Sequence, residues 1–149
     1  MLLYAVCLTC LPCWCLAQQN KLVVNPPDPI TVKRGAAATQ VLKVTVLPGF
    51  HVNSDKPKAE YVIPLRLTWS DGPVEVKSVV FPKPEEIKVG PDLLTVFTGS
   101  FEIRTDLKAA DNAAAGSATL NGKLRYQACS NDMCFRPASI DIHVPVVIE

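Results

Sequence analysis

The chain carries no basic run and no basic stripe. Its 15 Lys and Arg stand against 14 Asp and Glu, a formal net charge of +1, so a nucleic-acid partner finds no electrostatic footprint and is not expected. Aromatic residues make up only 7% of the chain, and no segment shows the apolar spacing of a convincing amphipathic helix. A glycine-rich phosphate loop is missing, as are a nucleophile–base arrangement for hydrolysis and a carboxylate pair at suggestive spacing. Asp55, Glu85 and Glu86 therefore read as solvated loop charges, and no small-molecule substrate is expected. Internal repeats and low-complexity tracts are absent too. Cysteine is confined: Cys7, Cys10, Cys13 and Cys15 crowd the first segment, and beyond it stand only Cys129 and Cys134.

What is present is Val, Ile, Leu and Thr, with 13 prolines, a mixture that favours short strands broken by proline-bearing turns. Residues 1–17 are apolar and uncharged, and Cys15-Leu16-Ala17 supplies small residues for cleavage. This segment reads as a secretory signal peptide, although no Lys or Arg precedes the apolar run. It is short of the roughly 20 apolar residues of a membrane span. Its four cysteines have metal-like spacing, but zinc sites are not built in apolar leaders, and no clean lipobox is visible. No membrane-spanning stretch is expected after the last strand.

Residues 18–38 read as a proline-rich lead-in with an edge strand at Lys21–Val24 and another short candidate at Ile30–Arg34. Residues 39–149 read as the domain proper. Thr39–Leu47 puts Leu42, Val44 and Val46 on one face and Lys43 and Thr45 on the other, the period of a half-buried strand. Pro48-Gly49 turns the chain and Phe50–Ser54 continues extended. Further strands are expected at Val62–Trp69, Val74–Phe81, Leu94–Thr98, Phe101–Leu107, Thr119–Cys129 and Ile140–Ile148. Glu85–Leu93 is expected to be a loop, and Ala109–Ser117 an exposed connection with room for a helical turn. Eight or so short strands without a helix predict an all-β, immunoglobulin-like antiparallel β-sandwich. The widely spaced inter-sheet cysteines of a true immunoglobulin domain are absent.

Cys129 and Cys134 flank Ser130-Asn131-Asp132-Met133 on opposite arms of a turn, where a disulfide can close. One reading is a structural clip, which exported proteins commonly carry. Closing about six residues restrains the unfolded chain by only about 2 kcal/mol, against nearer 5 for a very long loop. The other reading is redox exchange, which requires access and an ionisable thiol; Arg125 and Arg136 would favour a thiolate and Asp132 would oppose it. A zinc site would need His51 and His143 as further ligands, and a lone surface histidine is usually only that.

The run YQACSNDMCFRP, Tyr126 to Pro137, resembles the redox turn of the N-terminal periplasmic domain of the thiol:disulfide interchange protein DsbD family. Tyr126, Gln127, Cys129, Cys134, Phe135 and Pro137 carry the match, and Pro48–Asp55 is similar to the segment that lies beside the pair in that family. The resemblance extends from about Thr39 to Val146. It implies an immunoglobulin-like dithiol carrier without a cofactor, in the periplasm. Its partners would be thioredoxin-fold oxidoreductases or a membrane electron-transfer partner. By the same resemblance Cys134 is the attacking thiol, Cys129 the resolving one, and Tyr126, Phe135 and Pro137 support the turn. By the resemblance a cap over the pair falls at Glu85–Gly90, with Glu86, Ile87 and Val89, and aromatic shielding would come instead from Phe50 or Phe97. Two departures stand out. The cysteines have four intervening residues, one fewer than in the best-known member, and the cap stretch lacks an aromatic side chain.

Overall fold

The computed structural model describes residues 20–149, so the predicted leader, residues 1–17, and its four cysteines lie outside the described residues. Every regular element among the described residues is a strand. Alternating side chains explain why. In β12 (Ala138–Ile148), Ile142, Val144, Val146 and Ile148 are buried while Asp141, His143 and Pro145 face solvent. In β10 (Gly116–Tyr126), Leu120, Leu124 and Tyr126 point inward between the exposed Asn121, Lys123 and Arg125. Residues two apart share a face of a strand, so such a pattern can bury its apolar set only as one side of a sheet.

Three four-stranded sheets result. The first has the order β1 (Leu22–Val24), β3 (Ala37–Val46), β9 (Ser100–Lys108), β6 (Glu75–Val80). The second runs β2 (Ile30–Val32), β12, β10, β5 (Arg66–Trp69). The third runs β11 (Ala128–Cys129), β4 (His51–Asn53), β8 (Asp92–Phe97), β7 (Glu85–Val89). All pairings are antiparallel except β2 with β12, which run parallel. A single core takes Leu42, Val44 and Ile103 from the first sheet, Leu120, Leu124 and Val144 from the second, and Val52, Phe97 and Ala128 from the third. This is the immunoglobulin-like β-sandwich the alternation predicted. The lead-in strands β1 and β2 are edge strands, and their Leu22 and Val32 are buried in the same core.

Four local expectations are corrected. Glu85–Leu93 is no loop: β7 and β8 form a hairpin in which Val89 pairs with Asp92, turned by Gly90 at φ 58° and Pro91. The left-handed backbone that glycine adopts freely makes this tight reversal possible. The expected strand Val62–Trp69 starts only at Arg66. Pro64 has no N–H to give to a ladder, and the N–H and C=O of Ile63 are taken by the side chains of Gln127 and Asn53. Ala109–Ser117 forms no helix: Ala109 is buried and bridges Arg34, a hydrogen-bonded turn spans Ala110–Ala113, and β10 already begins at Gly116. Finally, Thr119–Cys129 is not one strand, because β10 stops at Tyr126 and β11 belongs to another sheet.

Gly122 shows how packing selects a residue in mid-strand. It pairs with Trp69, and a Cβ there would lie 2.5 Å from the indole ring. The indole N–H in turn donates to the buried Thr105 hydroxyl at 3.1 Å, tying β5 to β9 of the opposite sheet. Gly122→Ala is expected to cost about 1–3 kcal/mol through overpacking. Urea denaturation should show a lowered midpoint with an unchanged slope; an unaltered midpoint would mean that the indole gives way freely.

Candidate functional site

The second sheet delivers the chain to the site. β10 is paired with β12 up to Tyr126 opposite Ala138, and Tyr126 is buried, which raises its phenol pKa by desolvation. At Gln127 the chain leaves that sheet, and Ala128 and Cys129 pair instead with Val52 and His51 of β4. The Gln127 side chain fills the junction. Its carbonyl accepts from the Asn53 amide at 3.4 Å and from the Ile63 N–H at 3.3 Å, while its own amide donates to the Phe135 carbonyl at 3.2 Å. One side chain thus links β4, the segment before β5 and the return arm of the turn.

The turn itself is closed by hydrogen bonds. The Ser130 N–H donates to the Met133 carbonyl at 2.8 Å, and the Ser130 hydroxyl accepts from the N–H groups of Asp132 and Met133 at 3.2 Å each. The Phe135 N–H donates to the Ala128 carbonyl at 2.9 Å. Between these bonds Cys129 and Cys134 face each other, joined by a disulfide with their α-carbons 3.9 Å apart. Their surroundings differ sharply. Cys129 is only 2% exposed, whereas Cys134 is exposed and its neighbour Met133 is 57% exposed. An incoming group can therefore approach the bond from the Cys134 side.

Aromatic groups support the return arm. Phe50 and Phe135 meet edge to face, with centroids 5.8 Å apart, and Lys21 Nζ lies 4.4 Å from the Phe135 centroid, a cation–π contact. Pro137 is exposed just beyond, where the arm enters β12, and lines a shallow cavity with Tyr126, Phe135 and Arg136. On the other flank, Phe50, His51, Ile87, Val89 and Asn131 line a cleft of about 420 Å³. Ile87 and Val89 are thus brought to the same cleft as Asn131 of the cysteine turn, on a hairpin strand rather than a loop. Glu86 is not part of that wall: it is exposed and paired with Lys58, whose hydrogen bond holds its carboxyl below the usual range. Arg125 is exposed on β10, paired across the strands with Ser139 and Arg66.

The two histidines lie on different sheets, and His143 is engaged by Asn121 at 2.7 Å. No group of three or more His, Cys, Asp or Glu side chains suited to a metal occurs among the described residues. Sequence reasoning weighed His51 only as a metal ligand and passed over Asn53. Both are buried, His51 at 4% and Asn53 at 1% exposure, and the Asn53 Oδ1 has no hydrogen-bond partner. The signal was available: in an extended Phe50–Ser54 segment His51 and Asn53 share the face opposite Val52.

A family model described as thiol:disulfide interchange protein DsbD, N-terminal, matches residues 18–144. No curated protein sequence matches the chain significantly. Among solved structures, the N-terminal periplasmic domain of ScsB from Proteus mirabilis superposes with a TM-score of 0.62 at 18% identity. That match covers 87% of this chain and 48% of that one, so the chain spans about half the length of the ScsB domain. The Neisseria meningitidis DsbD N-terminal domain in the reduced form is similar at 16% identity and TM-score 0.46, over 74% of this chain and 79% of that one.

Two outcomes follow from the geometry. Gln127→Leu strands the Ile63 N–H and the Phe135 carbonyl, while the Asn53 amide keeps its bond to the Ile63 carbonyl, and should cost about 1–3 kcal/mol for each group left unpaired by water. Denaturation of the oxidised protein measures the loss, and hydrogen exchange should show it centred on Ile63 and Phe135. Burial also lowers the His51 pKa from its ordinary 6.5. The unfolded chain then binds more protons than the folded one as pH falls through 6.5, so the stability that is full above this value is lost toward the folded pKa, with a slope of at most about 1.4 kcal/mol per pH unit. Denaturation at stepped pH should show a steeper acid loss in the wild type than in His51→Gln; parallel curves would contradict it.

Proposed function

Because the chain belongs to the family of N-terminal domains of the thiol:disulfide interchange protein DsbD, we propose that it is an exported thiol–disulfide exchange domain. It passes electrons through the Cys129/Cys134 dithiol between thioredoxin-fold proteins, or between one of these and a membrane electron-transfer partner. The observation that carries this reading is the asymmetry of the disulfide: a buried Cys129 bonded to an exposed Cys134 at the tip of a turn. Exchange proceeds by in-line attack of a thiolate on a disulfide sulfur, and only the exposed side admits a second protein.

In the reduced domain, the Cys134 thiolate attacks a partner disulfide, forming a mixed disulfide and expelling one partner thiolate. Cys129 then attacks Cys134 Sγ, which releases the second partner sulfur. Two electrons have moved from the domain to the partner, the domain keeps an intramolecular disulfide, and the two thiol protons end on the partner. Run backward, the same steps recharge the domain from a dithiol donor. Both cysteines supply the chemistry, so no cofactor is required. Support for a bond that opens without collapse comes from the hydrogen bonds of Ser130, Gln127 and Phe135, which close the turn independently of the sulfurs. Phe50, Ile87 and Val89 act as the shield of the pair, and Tyr126, Phe135 and Pro137 hold its return arm. In this reading residues 1–17 direct export to the periplasm, residues 18–38 lead into the sandwich, and residues 39–149 form the exchange domain.

The Cys129→Ala variant should accumulate a stable mixed disulfide with a thioredoxin-fold protein, visible on non-reducing gels, and Cys134→Ala should not. Equal trapping by both variants would remove the roles assigned to the two thiols. Thiol labelling across glutathione buffers should show the pair titrating above about −300 mV; a bond that stays closed below that potential is a structural stitch, and the carrier reading fails.

A further inference from the structure

The exchange chemistry leaves one difficulty, which the third sheet addresses. Cys129 is buried, so its thiol has no ready access to water when it must ionise and resolve the mixed disulfide. Its register partner on β4 is His51. Residues directly opposite in an antiparallel pair extend from the same face with Cβ atoms about 4.5–5.5 Å apart. The register is held two steps along by the Gln127–Asn53 amide contact at 3.4 Å. We propose that His51 is the proton acceptor for Cys129 in the resolving step, an inference that rests on the carrier reading above.

The imidazole suits the task because burial keeps it neutral at neutral pH, with a nitrogen lone pair to offer. The charged groups on the elements packed around it have their own places. Lys88 of β7 lines the same cleft, Glu85 accepts from the Thr98 hydroxyl at 2.7 Å, and Glu86 pairs with Lys58. Lys21 lies over the Phe135 and Phe50 rings, and Asp132 is exposed on the cysteine turn. Desolvation is the cause of the His51 shift, and none of these charges contributes to it.

The step balances. The Cys129 thiol gives its proton to a His51 ring nitrogen, and the sulfur electron pair forms the bond to Cys134 Sγ. The bond between Cys134 and the partner sulfur breaks, and its electron pair leaves on the partner. That thiolate takes the proton from the imidazolium, directly or through water, and His51 returns neutral. The histidine spares Cys129 from ionising unaided in a dry site, a contribution on the order of 10²-fold in rate.

The test follows both steps with an aryl disulfide that releases a coloured thiolate at each one, mixed with reduced protein in a stopped-flow instrument. In the wild type the second release should rise with pH as the imidazole deprotonates, at a pH below 6.5, and then level off. His51→Gln should leave the first release unchanged and slow the second on the order of 10²-fold at neutral pH, with a rate that climbs only toward the alkaline thiol range. A wild-type second release that rises only in that alkaline range, or identical second-phase profiles for the two proteins, would overturn the proposal. The wild-type profile decides the matter even if the variant fails to fold. No first release from reduced wild type would instead sink the exchange reading itself, a different and distinguishable failure.

Discussion

At Gln127 the chain passes from one sheet to another, and the site depends on that passage being held. A strand that changes sheets leaves backbone groups without ladder partners, and in a protein interior each must find another. The Gln127 amide meets this demand with three contacts, to Asn53, the Ile63 N–H and the Phe135 carbonyl. Its consequences reach outward. Ile63 is drawn away from strand pairing, which delays the start of β5, and β4 is brought beside the cysteine pair. The return arm is fixed at Phe135, where the ring meets Phe50 and Lys21.

The same crossing generates the difference between the two sulfurs. Cys129 falls on β11 and is enclosed by β4, whereas Cys134 lies beyond the turn and faces solvent. In the proposed exchange the difference would be useful: the exposed sulfur would meet the partner, and the protected one would close the cycle without competing for it. Protection has a physical cost, because a thiol ionises poorly in an apolar surrounding. A neutral histidine opposite the buried sulfur, His51, is the group proposed to meet that cost.

Much of this was legible beforehand, for identifiable reasons. The alternations in Leu42–Val46 and Ile140–Val146 are strong because the apolar face of each strand is buried, only Ile140 being partly exposed, and they placed those strands and the sandwich correctly. Strand β7 was missed although Ile87 and Val89 alternate with Glu86 and Lys88, since its apolar face is only half buried and Gly90-Pro91 resembles loop chemistry, while its partner β8 was expected at Leu94–Thr98. Val62–Trp69 was overextended because apolar alternation cannot reveal that Ile63 has given its backbone groups to side chains distant in sequence. Among the site residues, Cys129 and Cys134 stood out by type and spacing, whereas Tyr126, Phe135 and Phe50 were marked only by the family resemblance. Glu86 came in with the cap stretch that the resemblance placed at Glu85–Gly90; its side chain pairs with Lys58, and Ile87 and Val89 line the cleft.

By itself, then, the chain determined a helix-free sandwich and a cysteine pair confined to one short turn, since period-two burial and turn composition are local properties that adjacent residues carry. Tertiary structure alone decided which sulfur is covered, which residue faces it, and which sheet owns the turn. Those are outcomes of register between strands some 75 positions apart, such as Cys129 with His51. Register is set by the whole core closing at once, and no window of sequence contains it.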